Sequence, residues 1–252
     1  MYISLYNYYM VKEEVLINEE ISEAEINRKN KPRLRKAFSV TWTILLVTAI
    51  VVSLFVTYVD LTYTPVYVDG PSMQPTLNDF HHRYYEFGLM DERPKARNNI
   101  KRGDIVVFRR NGINIIKRVI ALPLETIQII DNPTGDEVFI TLPEATEKFK
   151  LDEPYLSTSN RYTTATYLND SSPKYENGLK EPLTLEEKTY YLMGDNRANS
   201  SDSRAIGPVH FDNISGKLVV IQGYTENVEV SESGKVKFIG QHYYVLWKWR
   251  YY

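Results

Sequence analysis

Between residues 37 and 59 the chain carries no charged side chain. A helix of 23 residues rises roughly 35 Å at 1.5 Å each, enough to cross a hydrocarbon core about 30 Å thick. Thr41, Thr43, Thr48, Ser53 and Thr57 interrupt the apolar run, and a buried core helix is the alternative, but length and absence of charge favour a membrane span. A cleaved signal peptide would need small residues after a short apolar region. Tyr58-Val59-Asp60-Leu61-Thr62-Tyr63 follows instead. Beyond it the pattern changes to short apolar runs between turn residues, which predict strands at 64–68, 105–109, 113–122, 126–130, 189–193 and 218–222. Asn111-Gly112 predicts a hairpin turn, and Pro123 ends the strand that returns from it.

From 131 to 188 the pattern weakens. Pro133, Pro143, Pro154, Pro173 and Pro182 punctuate a stretch rich in Thr, Ser, Asn and Glu. Its apolar residues, among them Val138, Phe139, Ile140, Phe149, Leu151, Tyr155, Tyr162 and Tyr167, suffice for a small hairpin-based cap inserted into the main sheet. Residues 1–27 read equally as a short amphipathic helix or as disorder. The aromatic and basic tail, residues 243–252, reads as a last strand or as an interfacial contact with lipid.

Charge orients the span. Arg28, Lys29, Lys31, Arg33, Arg35 and Lys36 precede it with no acid among them, and Asp60 follows. The positive-inside rule places residues 1–36 in the cytoplasm and those after about residue 60 outside. The net charge of -2 leaves no nucleic-acid footprint, and the 20 tyrosines form no stacking stripe beside a basic patch. The absence of cysteine excludes disulfides and Cys-based zinc sites, and is ordinary for a bacterial exported domain. His81, His82, His210 and His242 lack ligand-like spacing and read as surface residues.

Three segments carry candidate chemistry. Gly70-Pro71-Ser72-Met73-Gln74-Pro75 is a stiff, irregular backbone that can present a hydroxyl and a free N–H to a carbonyl; its plain alternative is a proline-rich turn. Lys117 lies in Ile115-Ile116-Lys117-Arg118-Val119-Ile120. A serine needs a base, and a lysine is one only when neutral, which desolvation among apolar neighbours favours. Strand alternation puts Ile115, Lys117 and Val119 on one face. The alternative is a solvent-facing lysine that protects an edge strand from aggregation. Gly194-Asp195-Asn196-Arg197-Ala198-Asn199-Ser200-Ser201-Asp202-Ser203-Arg204 is dense in hydrogen-bonding groups; it reads as a solvated loop or as the support of such a site. Met73, Leu77 and Phe80, beside Ser72, read as core residues or as side chains dipping into the outer leaflet.

Together these segments resemble bacterial type I signal peptidase, the membrane-bound Ser/Lys leader peptidase. The resemblance covers residues 70–77, Gly103-Asp104-Ile105-Val106-Val107-Phe108, residues 117–125 and 194–204, Gly207-Pro208-Val209 and Ile214-Ser215-Gly216-Lys217, in the family's order behind one anchor. The single span and short cap are similar to Gram-positive-type members. The resemblance implies a mainly β fold: a coiled antiparallel β-sheet catalytic domain (60–130 and 189–252) with a small inserted cap (131–188), preceded by one N-terminal transmembrane helix (37–59) and a cytoplasmic segment (1–36). It implies Ser72 as nucleophile and Lys117 as general base. Ser200 would orient the lysine, Asp195 would pair with Arg118, and Asp202 with Arg204. Val68, Met73, Leu77 and Ile116 would line shallow substrate pockets. No metal or other cofactor is implied.

The implied function is removal of signal peptides after small residues, at Ala-x-Ala sites, in a single-pass protein of the bacterial cell membrane with an extracytoplasmic catalytic domain. Its partners would be preprotein signal peptides, the lipid bilayer and the secretion translocon, with no nucleic acid. A signal-peptidase-like chaperone or assembly factor for surface structures would keep the fold without proteolysis, and a self-cleaving repressor-type protease would share the chemistry but carry a DNA-binding domain. The chain departs from the family's pattern at Gly70, where some members have a serine donor, at Ala121 and Leu124, where glycines are usual, at Glu125, which replaces a frequent Asp, and at Ala198, a position that often varies or is acidic.

Overall fold

The computed structural model describes residues 22, 28, 36, 38–79, 84–165, 181–232, 235–245 and 248–252. Most of the N-terminal segment and its basic cluster, Phe80, His81, His82, Tyr167, Leu246 and Trp247 lie outside the described residues. The chain divides into two units at Val59/Asp60. In the first, helix α1 begins; it runs Phe38–Thr62, 25 residues with none of its apolar window buried. Three of its threonines bond within the helix. Thr43, Thr48 and Thr57 donate to the carbonyls of Ser39, Ile44 and Ser53, one turn back, at 2.8–2.9 Å. That bond satisfies a polar group inside a helix and removes most of the cost of placing threonine in an apolar span.

The second unit is mainly β. Strand β1 (Tyr63–Val68) pairs with β2 (Tyr85–Asp91), which is followed by the short helix α2 (Pro94–Arg97). Strands β3 (Ile105–Arg110) and β4 (Ile113–Ala121) form the hairpin predicted at Asn111-Gly112, with Arg110 opposite Ile113 and φ of 50° and 81° at the two turn residues, as a two-residue hairpin turn requires. Strands β5 (Thr126–Ile130), β6 (Glu137–Thr141), β7 (Lys148–Lys150) and β8 (Leu183–Thr184) make a separate antiparallel sheet in the order β7-β6-β5-β8. The chain then returns to the first sheet through β9 (Thr189–Met193), helix α3 (Ser203–Ile206), β10 (Val209–His210), β11 (Ile214–Val230), β12 (Val236–Tyr243) and β13 (Arg250–Tyr251).

The main sheet runs β1-β2-β11-β3-β4-β9-β10, with β12 and β13 also on β11. One strand of 17 residues can serve β2, β3, β12 and β13 because its register shifts between Leu218 and Val220, between Ile221 and Gly223 opposite β2, and between Ile214 and Gly216 opposite β3. Such irregularities bend and twist a strand, so that successive parts of it face different neighbours.

Two of the longer strands, and the two-residue β8 and β10, escape the sequence reading. β2 reads Tyr-Glu-Phe-Gly-Leu-Met-Asp, buried at most positions on both faces, so it lacks alternation. β12 is mostly exposed and therefore carries little apolar signal. The second sheet also starts earlier than the change in composition at Asp131, because β5 pairs with β6 and β8. Nor does that sheet pack by itself. Ile127, Ile129, Val138 and Ile140 from β5 and β6 share one core with Ile120, Tyr191 and Met193 from the main sheet. Ile140→Ala should therefore destabilise the second unit in a single cooperative urea transition, by about 2–5 kcal/mol; two separate transitions in wild type would show that the sheets fold independently.

Candidate active site

Ser72 sits between β1 and β2, in a loop closed by its own hydrogen bonds. Gln74 N–H donates to the Pro71 carbonyl at 3.0 Å and Leu77 N–H to the Met73 carbonyl at 2.9 Å, so residues 71–77 coil into tight turns. Asn78 Nδ2 reaches back to the Gly70 carbonyl at 3.1 Å. This coiling turns Met73 and Leu77 to the same side, inward, where both are fully buried with Val68 and Ile105. They are core residues, which settles the alternative of a leaflet contact for these two. Of the four residues assigned to substrate pockets, Val68, Met73 and Leu77 lie beneath the surface and only Ile116 is partly exposed. Gly70 has φ +81° with nothing within 4 Å of an added Cβ. A serine would find space there but would have to adopt a left-handed backbone, which explains the departure noted at this position. Leu124 likewise holds φ 68° where glycine is usual. Glu125 shapes that turn by accepting from Leu122 N–H at 2.7 Å and from Arg102 at 2.6 Å.

Lys117 lies on β4, between β3 and β9 in the sheet, opposite Val106. This interior position overturns the reading of an edge-strand lysine. It is 3% exposed, and its Nζ donates to Ser72 Oγ at 2.7 Å and to the Ile116 carbonyl at 2.8 Å. Burial is the largest influence on its titration and disfavours the ammonium. Asp202 and Asp195 pull the other way, Arg204 adds to the lowering, and the outcome is a pKa lowered from 10.5 to about 8.

The segment after β9 supplies those charges, each already paired. Arg118 grips Asp195 through two bonds of 2.8 and 2.6 Å, and Arg204 grips Asp202 at 2.9 and 2.8 Å. Both carboxylates are fully buried. Burial opposes ionisation of Asp202, but the Arg204 charge and hydrogen bonds from Arg204, the Gly194 N–H and Ser200 outweigh it and hold its pKa below the ordinary 3.8. The resemblance assigns Ser200 to orienting the lysine; its hydroxyl reaches Asp202, the carboxylate that acts most strongly on Lys117. Gly194 lets these parts meet. A Cβ there would lie 2.3 Å from both Ser200 Oγ and the Ser72 carbonyl oxygen, so only glycine fits. Asn196 ties the two loops together, its N–H donating to the Ser72 carbonyl and its Nδ2 to the Pro71 carbonyl, both at 3.1 Å.

Arg197, Glu153, Tyr155 and Thr164 were given no role in the site by the sequence. Arg197 is fully buried and pairs with Glu153 in a close two-oxygen contact, while also donating to Thr164 Oγ1 and the Gly194 carbonyl at 3.0 Å each. Tyr155 stacks under the Arg118 guanidinium, 4.0 Å from its ring centroid, and donates to Glu153 at 2.8 Å. Arg204 Nη1 donates to the Thr164 carbonyl at 2.9 Å. Residues 153–164, from the stretch between the two sheet segments, thus buttress the loop beside Lys117. A lone Glu or Tyr in a proline-rich run carries no signal of this; only the buried partner defines it.

A family model described as signal peptidase, peptidase S26, matches residues 39–222. The chain is 31% identical to signal peptidase I S of Bacillus subtilis (strain 168) over 170 residues, covering 68% of this chain and 80% of that protein. It is 29% identical to signal peptidase I P of Bacillus subtilis subsp. natto over 191 residues, 75% of this chain and 90% of that protein. A crystal structure of a signal peptidase I from Enterococcus faecalis V583 has 31% sequence identity and a TM-score of 0.34, covering 48% of this chain and 97% of that one.

The Glu153–Arg197 pair is testable by stability. Glu153→Ala strands a buried guanidinium and should cost about 3–5 kcal/mol in urea unfolding; a loss below about 1 kcal/mol would mean that the loop is held by other contacts.

Proposed function

Since this chain belongs to the signal peptidase family, peptidase S26, and is a hydrolase of the type I signal peptidase class that removes signal peptides, we propose that Ser72 and Lys117 perform the cleavage as a Ser/Lys dyad. The observation that carries this reading is the 2.7 Å contact between a serine hydroxyl and a buried lysine whose pKa is lowered to about 8. When Lys117 is neutral the contact reverses, and the Ser72 O–H donates to the amine.

A preprotein's cleavage segment lies extended along β1, which stands at one end of the sheet's strand order, so backbone pairing near Val66–Val68 aligns it beside Ser72. Lys117 takes the Ser72 proton as Oγ bonds to the scissile carbonyl carbon. The Ser72 backbone N–H, which has no hydrogen-bond partner among the described residues, faces the developing oxyanion. The C–N bond breaks as Lys117 returns the proton to the leaving amine, leaving an acyl-enzyme. Lys117 then deprotonates water, which attacks the ester, and the proton passes back to Ser72. Specificity for Ala-x-Ala sites follows if the side chains flanking the cut meet the packed floor of Val68, Met73 and Leu77, which leaves depth only for small residues. Asp195, Arg118, Asp202, Arg204 and Ser200 act as positioning residues that keep charge near the lysine balanced.

The apolar helix α1 anchors the enzyme in a membrane, with residues 1–36 cytoplasmic, 37–59 spanning, and the catalytic domain outside, where emerging preproteins leave the translocon. Support comes from the helix's length and from the basic cluster that precedes it. Residues 60–130 with 189–252, and the insert 131–188, then form that catalytic domain and its cap.

Ser72→Ala and Lys117→Ala should each reduce processing of a preprotein by about 10⁴-fold or more while leaving the fold intact; processing at the wild-type rate by purified Ser72→Ala would sink the dyad. The pH dependence has a definite sign. The reactive form is the neutral amine, so the acylation rate should rise with pH, reach half its plateau near about pH 8, and fall about tenfold per unit below it. A rate already flat between pH 5 and 7, measured by single-turnover cleavage, would exclude a neutral Lys117 as the base.

A further inference from the structure

The aromatic and basic tail has a place in the site. Residues 223–252 fall outside the stretch that the family model matches. Yet Arg250, on β13 opposite Ile221, sends its guanidinium into the loop that carries Ser72. Its Nη1 donates to the Thr76 carbonyl at 2.5 Å, and its Nη2 pairs with Glu86 Oε1.

Glu86 joins this arginine to the loop at a second point. Its side chain is 2% exposed, and both of its oxygens are hydrogen-bonded. Oε2 accepts from the Asn78 backbone N–H at 2.7 Å. Oε1 accepts from the Tyr244 hydroxyl at 3.0 Å as well as from Arg250. Tyr252, the neighbour of β13, donates its hydroxyl to the same Thr76 carbonyl at 3.4 Å and packs with Tyr244 against the core beneath Ser72. On the opposite side of Thr76, its hydroxyl accepts from Arg118 Nη2 at 3.5 Å. The loop therefore hangs between two arginines. Arg118 belongs to the network beside Lys117, and Arg250 comes from the tail.

We propose that Arg250, set by Glu86, is a positioning residue for Ser72: its fork fixes Thr76 and, through the tight turns of residues 71–77, the direction in which the serine hydroxyl points. One property of arginine and one of the loop make this work. The guanidinium offers two parallel donor positions, so one side chain can hold a carboxylate and a carbonyl together. The turn bonds from Leu77 to Met73 and from Gln74 to Pro71 make the loop stiff, so a tether at Thr76 is felt four residues away at Ser72. This inference rests on the reading of Ser72 as the nucleophile.

The discriminating variant is Arg250→Lys in the 252-residue chain. Lysine keeps the charge opposite buried Glu86, and so protects the fold, but its single ammonium cannot hold both acceptors in the fork's geometry. Cleavage of a preprotein with an Ala-x-Ala site is measured at several substrate concentrations, with thermal unfolding recorded for each variant. For Arg250→Lys the expected result is a fall in kcat of about 10- to 100-fold with KM within about twofold, as for a misaligned reacting group. The pH of half-maximal rate should stay at its wild-type value, because Lys117 keeps its surroundings. Tyr251→Ser, on the same strand but 68% exposed, should leave kcat unchanged. Glu86→Gln, which keeps the shape and removes the charge that holds Arg250, should reproduce the kcat loss.

A folded Arg250→Lys with wild-type kcat overturns the proposal. So does an equal loss in Tyr251→Ser, which would assign the effect to strand disturbance, and so does unfolding of both Arg250→Lys and Glu86→Gln, which would make the pair a fold element only. Ser72→Ala in the same assay separates the two levels. If it retains activity, the nucleophile reading fails; if it is inactive while Arg250→Lys is not impaired, only the positioning role fails.

Discussion

Keeping one amine dry beside one hydroxyl is the constraint around which this site is built. An exposed lysine is an ammonium across the whole physiological range, and an ammonium cannot take a proton. Burial on an interior strand moves Lys117 from 10.5 to about 8, a difference on the order of 3 kcal/mol between its two protonation states. Two carboxylates lie near enough to undo this. They fail to do so because each is spent on an arginine: Asp195 on Arg118 and Asp202 on Arg204, both in two-point contacts. Desolvation therefore wins over attraction, and the sheet supplies it. β4 is paired with β3 on one side and β9 on the other, Lys117 is 3% exposed, and the carboxylates of the loop after β9 are already held by arginines.

The same arrangement answers how a loop can present a nucleophile without wandering. Residues 70–78 contain no regular strand, yet their ends are joined through Asn78 and Gly70, and the middle is pinned from three elements distant in the chain. Gly194 permits the closest of these approaches, and its contact distances leave no room for any other residue. Rigidity here comes from polar contacts to backbone carbonyls and amides, which fix position and direction together, over a floor of tightly packed apolar side chains that carry most of the burial.

The insert between the two halves of the main sheet takes on a different character in this light. Its sheet shares a core with β4 and β9, its Glu153 and Thr164 hold Arg197 and Arg204 of the loop beside Lys117, and its Tyr155 stacks on Arg118 of β4. It is part of the site's foundation. Its composition, broken by prolines and poor in periodicity, conceals this, because the contacts that matter are single polar side chains whose partners lie more than thirty positions away.

What the residues by themselves determined is local. An uninterrupted uncharged run sets the helix, and its threonines are tolerated because they bond one turn back within the same helix. Asn-Gly sets the β3–β4 hairpin through its positive φ, and apolar runs set β4, β5 and β9. The Ser72, Lys117 and Gly194–Arg204 segments were legible because each concentrates its chemistry within a few positions. Asp195 with Arg118 and Asp202 with Arg204 followed only from the family's pattern. Tertiary structure decided the rest. With 32 acidic and 30 basic residues, a sequence offers every arginine many possible partners. Nothing local chooses Glu153 for Arg197, 44 positions away, or Glu86 for Arg250, 164 away. Those choices were made where the folded sheets exclude water, since only there does an unpaired charge cost enough to demand one partner over all others.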